Sequence, residues 1–105
     1  MSYLIGRYLE KKQYQQGIET ALCLLKYDNL HEMAHYQLIN LYVASGNRHE
    51  AIKQYKAYYS ILEEEFGALP EQYIIDLYQD IRQRNKEIYK VSKEVLAKSH
   101  LPANN

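Results

Sequence analysis

Residues recur along this chain at a fixed interval. Leu4-Ile5 returns as Leu38-Ile39, Tyr8 as Tyr42, and Gly17-Ile18 as Ala51-Ile52, each 34 positions on. A period of that length holds two short helices and the turns joining them. One such unit cannot bury its apolar face alone, so successive units must stack on one another. The interval therefore restricts the chain to a stacked arrangement of helix pairs and directs the search for function to a surface rather than a reaction.

Apolar spacing places the helices. The first is predicted over about Tyr3 to Lys12, with Leu4, Ile5, Tyr8 and Leu9 forming its stripe. The second runs from Tyr14 to Tyr27 and turns Tyr14, Ile18, Ala21, Leu22 and Leu25 inward, until Asp28-Asn29 supplies turn and cap chemistry. The third, from His31 to Ala44, repeats the stripe with Ala34, Leu38, Leu41 and Tyr42 and is closed by Ser45-Gly46-Asn47. The fourth, from His49 to Phe66, buries Ala51, Ile52, Tyr55, Tyr58, Tyr59 and Leu62 and stops at Gly67. Gly17 and Ala51 share one repeat position, where a small side chain lets the two helices of a pair approach closely.

Beyond Pro70 a helix starting near Glu71 is expected to bury Ile74, Leu77, Tyr78 and Ile81, and the stripe goes on through Ile88, Val91 and Val95. With no Gly or Pro in Arg82-Gln-Arg-Asn-Lys-Glu87, the sequence favours one continuous helix of about 28 residues over a break near Asn85. Pro102-Ala-Asn-Asn is expected to fray. No alternation of β-branched residues marks a strand. The expected fold is all-α, a tetratricopeptide-like antiparallel helix-hairpin solenoid with a long C-terminal helix. It divides into a repeat domain at 1–82 and a basic helical extension at 83–105.

Composition removes several classes of function. Cys23 is the single cysteine, so neither an internal disulfide nor a cysteine metal cluster can form. Lying in Ala21-Leu22-Cys23-Leu24-Leu25, it is expected to be a buried small hydrophobe. No apolar run reaches the ~20 residues that span a bilayer and the N-terminus has no signal-peptide core, so a cytoplasmic location and no membrane partner are expected. The net charge is zero but uneven: residues 1–80 carry 7 Lys/Arg against 11 Asp/Glu, whereas residues 81–105 carry 6 against 2. The basic end reads as a solvated face that complements the acidic body, with a phosphate-contacting arm as the alternative.

Chemistry-bearing groups are few. His31 and His35 are four apart and could share a helix face as a metal pair, but no third ligand lies at suitable spacing, so both are expected to be structural. Consecutive Glu63-Glu64-Glu65 point in different directions and form a solvated acidic end. No Ser-His-Asp, Cys-His or phosphate-loop pattern is present. The expectation is a protein that is not an enzyme and takes no cofactor or metal.

The segments Tyr8-Leu9-Glu10, Tyr14-Gln15-Gln16-Gly17-Ile18 and His31-Glu32-Met33-Ala34 resemble the bacterial transcriptional activator domain, as do Ala44-Ser45-Gly46-Asn47 and Glu50-Ala51-Ile52. The resemblance is sharpest in Leu62-Glu63-Glu64-Glu65-Phe66-Gly67-Ala68-Leu69-Pro70, followed by Leu77-Tyr78 and Ile81. It covers residues 4–82. Gln72 stands where the family often has a second proline, and the basic helix beyond Ile81 exceeds the family pattern. The resemblance implies a helical-repeat module of transcription regulators, usually found beside a winged-helix DNA-binding domain, concerned with dimerisation and control of activity.

In a stacked-hairpin solenoid the first helix of each pair lines the concave side. This marks Leu9, Met33, Tyr36, Gln37, Asn40, Val43 and Tyr73 as partner-binding candidates, with Gly6, Asp76 and Leu77 continuing the groove. Ile81, Ile88, Val91 and Val95 are the self-association candidates, on partial coiled-coil spacing. The expected partners are protein: the regulator's own DNA-binding domain, a second copy as a homodimer, or another regulator. Direct contact with nucleic acid is not expected, though the basic end keeps it as an alternative beside a stand-alone peptide adaptor. The latter wants a basic groove, and the concave positions carry no Lys or Arg.

Overall fold

The computed structural model describes residues 1–84. Four helices come first: α1 (Ser2–Glu10), α2 (Tyr14–Tyr27), α3 (Glu32–Ala44) and α4 (Arg48–Phe66). A fifth, α5, is helical over 72–84. Each helix packs on the next, α1 also reaches α3, and no strand occurs among the described residues. The fold is the expected all-α stack of antiparallel hairpins. Asn85, Ile88, Val91, Val95 and the rest of the expected extension lie outside the described residues.

Both hairpin turns use the same backbone device. After α3, the Gly46 N–H donates to the Val43 carbonyl and the Asn47 N–H to the Tyr42 carbonyl, at 3.1 and 2.7 Å. This is the paired-bond helix stop that needs a left-handed residue, and Gly46 supplies it at φ 86°. One repeat earlier, Lys12 donates to the Leu9 carbonyl and Gln13 to the Tyr8 carbonyl, at 3.1 and 2.8 Å, and Lys12 holds φ 60°. α1 therefore stops at Glu10 rather than continuing to Lys12 as the apolar spacing suggests. α4 ends on Gly67 at φ 59°.

Two core clusters follow from the stacking. Ile5, Ile18 and Ala21 of the first hairpin meet Leu38 and Leu41 of α3. Ile39, Ala51, Tyr55, Tyr58 and Leu62 of the second hairpin meet Ile74 and Ile81 of α5. Each such side chain contributes about 1.5–3 kcal/mol on full burial. Gly17 sits at the crossing of the first pair: a β-carbon there would lie 2.8 Å from Leu41 Cδ2 and 3.2 Å from Tyr8 Cβ. The close approach inferred from the repeat position is thus seen directly.

Two placements in α2 differ from expectation. Leu22 is 43% exposed and Cys23 is exposed, rather than facing the core. Five consecutive apolar residues span more than one turn, so some must point outward. Ile18 and Ala21 are buried and Leu24 and Leu25 pack against the same cluster, leaving Leu22 and Cys23 on the solvent side.

Candidate functional site

Among the described residues, α1 and α3 are the first helices of the two hairpins and α5 follows them in the stack, and the side these three share carries the candidate surface. Between α1 and α3 runs an open groove of about 410 Å³, lined by Tyr3, Gly6, Arg7 and Glu10 on one wall and Met33 and Gln37 on the other. Gln37 ties the walls together, its Nε2 donating to the Ser2 carbonyl at 2.9 Å. Its Oε1 is buried with no hydrogen-bond partner among the described residues. Met33 and Tyr3 expose much of their side chains beside it.

Between α3 and α5 the same side is aromatic. The rings of Tyr36 and Tyr73 meet edge to face, with centroids 4.9 Å apart. The Tyr73 hydroxyl donates to the Glu32 carboxylate, and the Asn40 amide donates to the Tyr36 carbonyl at 3.1 Å. Burial, and then the bond to Glu32, push the Tyr73 hydroxyl well above the ordinary tyrosine range. Yet the Tyr73 side chain remains 39% exposed. It is a ring fixed from two directions and still available to a partner.

Behind this face lies a polar network. His35 is 2% exposed. Its Nε2 lies 2.8 Å from the Asn29 carbonyl, which can only accept, so that nitrogen carries the proton. Its Nδ1 then accepts from Gln54 Nε2 at 3.0 Å. Burial holds the ring below its usual range, only partly opposed by the Asn29 bond. The imidazole stacks on Tyr58, whose hydroxyl donates to Glu71 Oε2 at 3.1 Å ahead of α5. Burial, and then the Glu71 carboxylate, push the Tyr58 hydroxyl far up. His31 caps α3, its Nδ1 accepting from the Ala34 N–H at 3.1 Å. Both histidines are thus engaged in backbone and side-chain bonds, the structural roles expected of them.

A second groove, of about 430 Å³, opens on the far flank of α5, lined by Tyr55, Ile75, Tyr78, Gln79, Arg82 and Gln83. Tyr55 and Tyr78 stack there almost in parallel, 3.9 Å between centroids and 5° between planes. The Arg82 guanidinium lies 5.7 Å from the Tyr78 ring centre. Arg84 pairs with Asp80 at 3.3 Å.

The structure brings Met33 and Gln37 together in one groove and Tyr36 and Tyr73 in one aromatic contact, with Asn40 bonded to Tyr36. Leu9 packs instead against the first core cluster and Val43 against the second. Ile81, expected on a self-association seam, is 3% exposed within the second core. Ile88, Val91 and Val95 lie outside the described residues. Sequence reasoning missed Glu32, which is 41 positions from Tyr73, and the Gln54–His35–Tyr58–Glu71 network. No periodic signal links residues so far apart; only the presence of polar residues between apolar positions hinted at them.

Among the described residues no helix is long and apolar enough to cross a membrane. A family model described as the bacterial transcriptional activator domain matches residues 1–82. No curated protein and no solved structure matches the chain.

Proposed function

The chain belongs to the bacterial transcriptional activator domain family, and we propose that it serves a bacterial transcription regulator as a non-catalytic interaction module, acting through self-association or contact with a neighbouring domain. One observation carries the reading: Tyr73 is exposed, yet fixed by Tyr36 and Glu32. A ring ordered before binding loses little conformational freedom on contact, and tyrosine is enriched among residues that dominate interfaces. Met33 and the α1–α3 groove extend the same face with apolar atoms.

The test is Tyr73→Ala in the full chain, with the association constant measured by sedimentation equilibrium, and by calorimetry against the regulator's DNA-binding domain. About a 10-fold loss in either, equal to about 1.4 kcal/mol, is the expected outcome. Unchanged constants in both overturn the assignment of this face.

Nucleic-acid contact through the basic end ranks second. Of its cations, Arg82 lies over Tyr78 and Arg84 pairs with Asp80. Duplex DNA binding with a steep salt dependence would reverse the order.

A further inference from the structure

The two helices that carry the aromatic face differ from their neighbours in charge. α3 and residues 71–81 hold Glu32, Glu71, Asp76 and Asp80 and no Lys or Arg. The helices α1, α2 and α4 each carry cations, among them Arg7, Lys26 and Lys53. A face lined by one sign of charge raises the local concentration of the opposite sign.

Three of these carboxylates surround Tyr73. Glu32 Oε2 accepts its hydroxyl, Glu71 stands two residues ahead of it, and Asp76 follows one helical turn later. Glu71 Oε2 is itself held by the Tyr58 hydroxyl at 3.1 Å. Burial raises both hydroxyls first, and the carboxylates then act crosswise: Glu32 also bears on Tyr58, and Glu71 on Tyr73. The two acids and two phenols therefore form one cluster where α3 and α5 meet. Each acid spends Oε2 on a tyrosine and has no partner for Oε1 among the described residues. Ion pairs among the described residues are Glu50–Lys53 and Asp80–Arg84, so neither Glu32 nor Glu71 has a cation there.

We propose that this face takes an arginine side chain from a basic segment of a partner protein. The proposal rests on the reading of Tyr73 given above and names the chemistry of the partner. A guanidinium is flat, stacks on phenol rings and keeps in-plane N–H groups for a carboxylate. Tyr73 offers a ring that is 39% exposed and already fixed by Tyr36, with the carboxylate of Glu32 at its hydroxyl. Three other occupants fit less well. An ammonium suits the acids, but it is more strongly hydrated and lacks the flat surface that matches an aromatic wall. A wholly apolar segment would cover the carboxylates and give them nothing in return. An acidic one would set like charges together. Met33 and the α1–α3 groove continue the face and suit apolar neighbours of the arginine.

The experiment selects short random peptides by display on the full chain and measures the tightest of them by calorimetry. That peptide is titrated into wild type, Tyr73→Ala, Glu32→Gln and the triple variant Glu63→Gln/Glu64→Gln/Glu65→Gln. Glu32→Gln keeps an acceptor for the Tyr73 hydroxyl, so the ring stays in place while the charge is removed. The expected peptide contains arginine, binds Glu32→Gln about 10-fold more weakly, and loses as much when citrulline replaces its arginine. The triple variant, altered at the exposed end of α4, is expected to bind as wild type does. A peptide without arginine that loses affinity for Tyr73→Ala overturns the arginine and leaves the face standing. An arginine peptide indifferent to Glu32→Gln, or weakened equally by the triple variant, reduces the attraction to net charge and overturns the proposal. A binder indifferent to Tyr73→Ala, or a selection that enriches none, overturns it as well. The face itself falls only if the association constants of Tyr73→Ala are also unchanged.

Discussion

His35 lies face to face with Tyr58, their ring centroids 4.3 Å apart and their planes 25° from parallel. The contact joins α3 to α4, and each ring carries the connection further. His35 reaches the α2–α3 loop through Asn29, and Tyr58 reaches the start of α5 through Glu71. One stacked pair thus links four consecutive parts of the solenoid.

Because both nitrogens of His35 are committed to the neutral form, its protonation competes with folding. Its folded pKa lies below the ordinary 6.5, so between the two values the unfolded chain binds more protons. The stability His35 contributes is fully present above about pH 6.5 and is lost as pH falls through the folded value. Urea melts of wild type and His35→Phe across pH 5 to 8 are expected to diverge in slope below pH 6.5 and run parallel above it. Parallel curves throughout would remove His35 as the sensor.

Tyr58→Phe keeps the stack on His35 and deletes the hydroxyl that donates to Glu71. Hydrogen bonds to a charged partner contribute about 1.5–3 kcal/mol, so a loss near the lower end is expected in equilibrium unfolding. Hydrogen exchange should rise most at the start of α5, where Glu71 accepts the Ile74 and Ile75 N–H groups. A uniform rise across all helices would contradict the anchoring role.

Lys12 occupies the position that Gly46 fills one repeat later, and does so at φ 60°. A residue with a β-carbon is held there at a cost of about 1–2 kcal/mol, which glycine avoids. Lys12→Gly is therefore expected to raise stability by about 0.5–1 kcal/mol after the greater chain entropy of glycine is counted, read as a higher denaturant midpoint at constant slope.

Gly17→Ala tests the opposite case. In an open helix the change would stabilise by about 0.5–1 kcal/mol. Here the new methyl would meet Leu41 Cδ2 at 2.8 Å and Tyr8 Cβ at 3.2 Å, and overpacking costs about 1–3 kcal/mol. The expected net effect is destabilising. Ala51→Leu, at the matching and wholly buried position, should lower the melting temperature as well. A more stable Gly17→Ala would mean that Leu41 moves aside freely.

The bounds of α2 from Tyr14 to Tyr27 were readable from spacing, because one apolar face repeats there without interruption. The ends of α3 and α4 were readable from Gly46 and Gly67, whose backbone freedom marks a stop. The early end of α1 was not, since a lysine carries no sign that it will adopt a left-handed conformation. The outward placement of Leu22 and Cys23 is not legible, because hydrophobicity alone does not orient a run longer than a turn. On the candidate face, helical register gave Met33, Tyr36, Gln37 and Tyr73. The Glu32 bond that fixes Tyr73 depends on how two helices distant in sequence meet, which no local pattern encodes.

The chain has twelve tyrosines and no tryptophan. Its near-ultraviolet absorption and emission therefore come almost entirely from phenol rings, with no indole to mask them. Tyr55 and Tyr78, stacked almost in parallel with centroids 3.9 Å apart, are placed for their electronic transitions to couple. That coupling exists only while α5 lies against α4. The unlabelled protein thus carries its own optical gauge of whether α5 is seated, readable by circular dichroism during melting, assembly or binding.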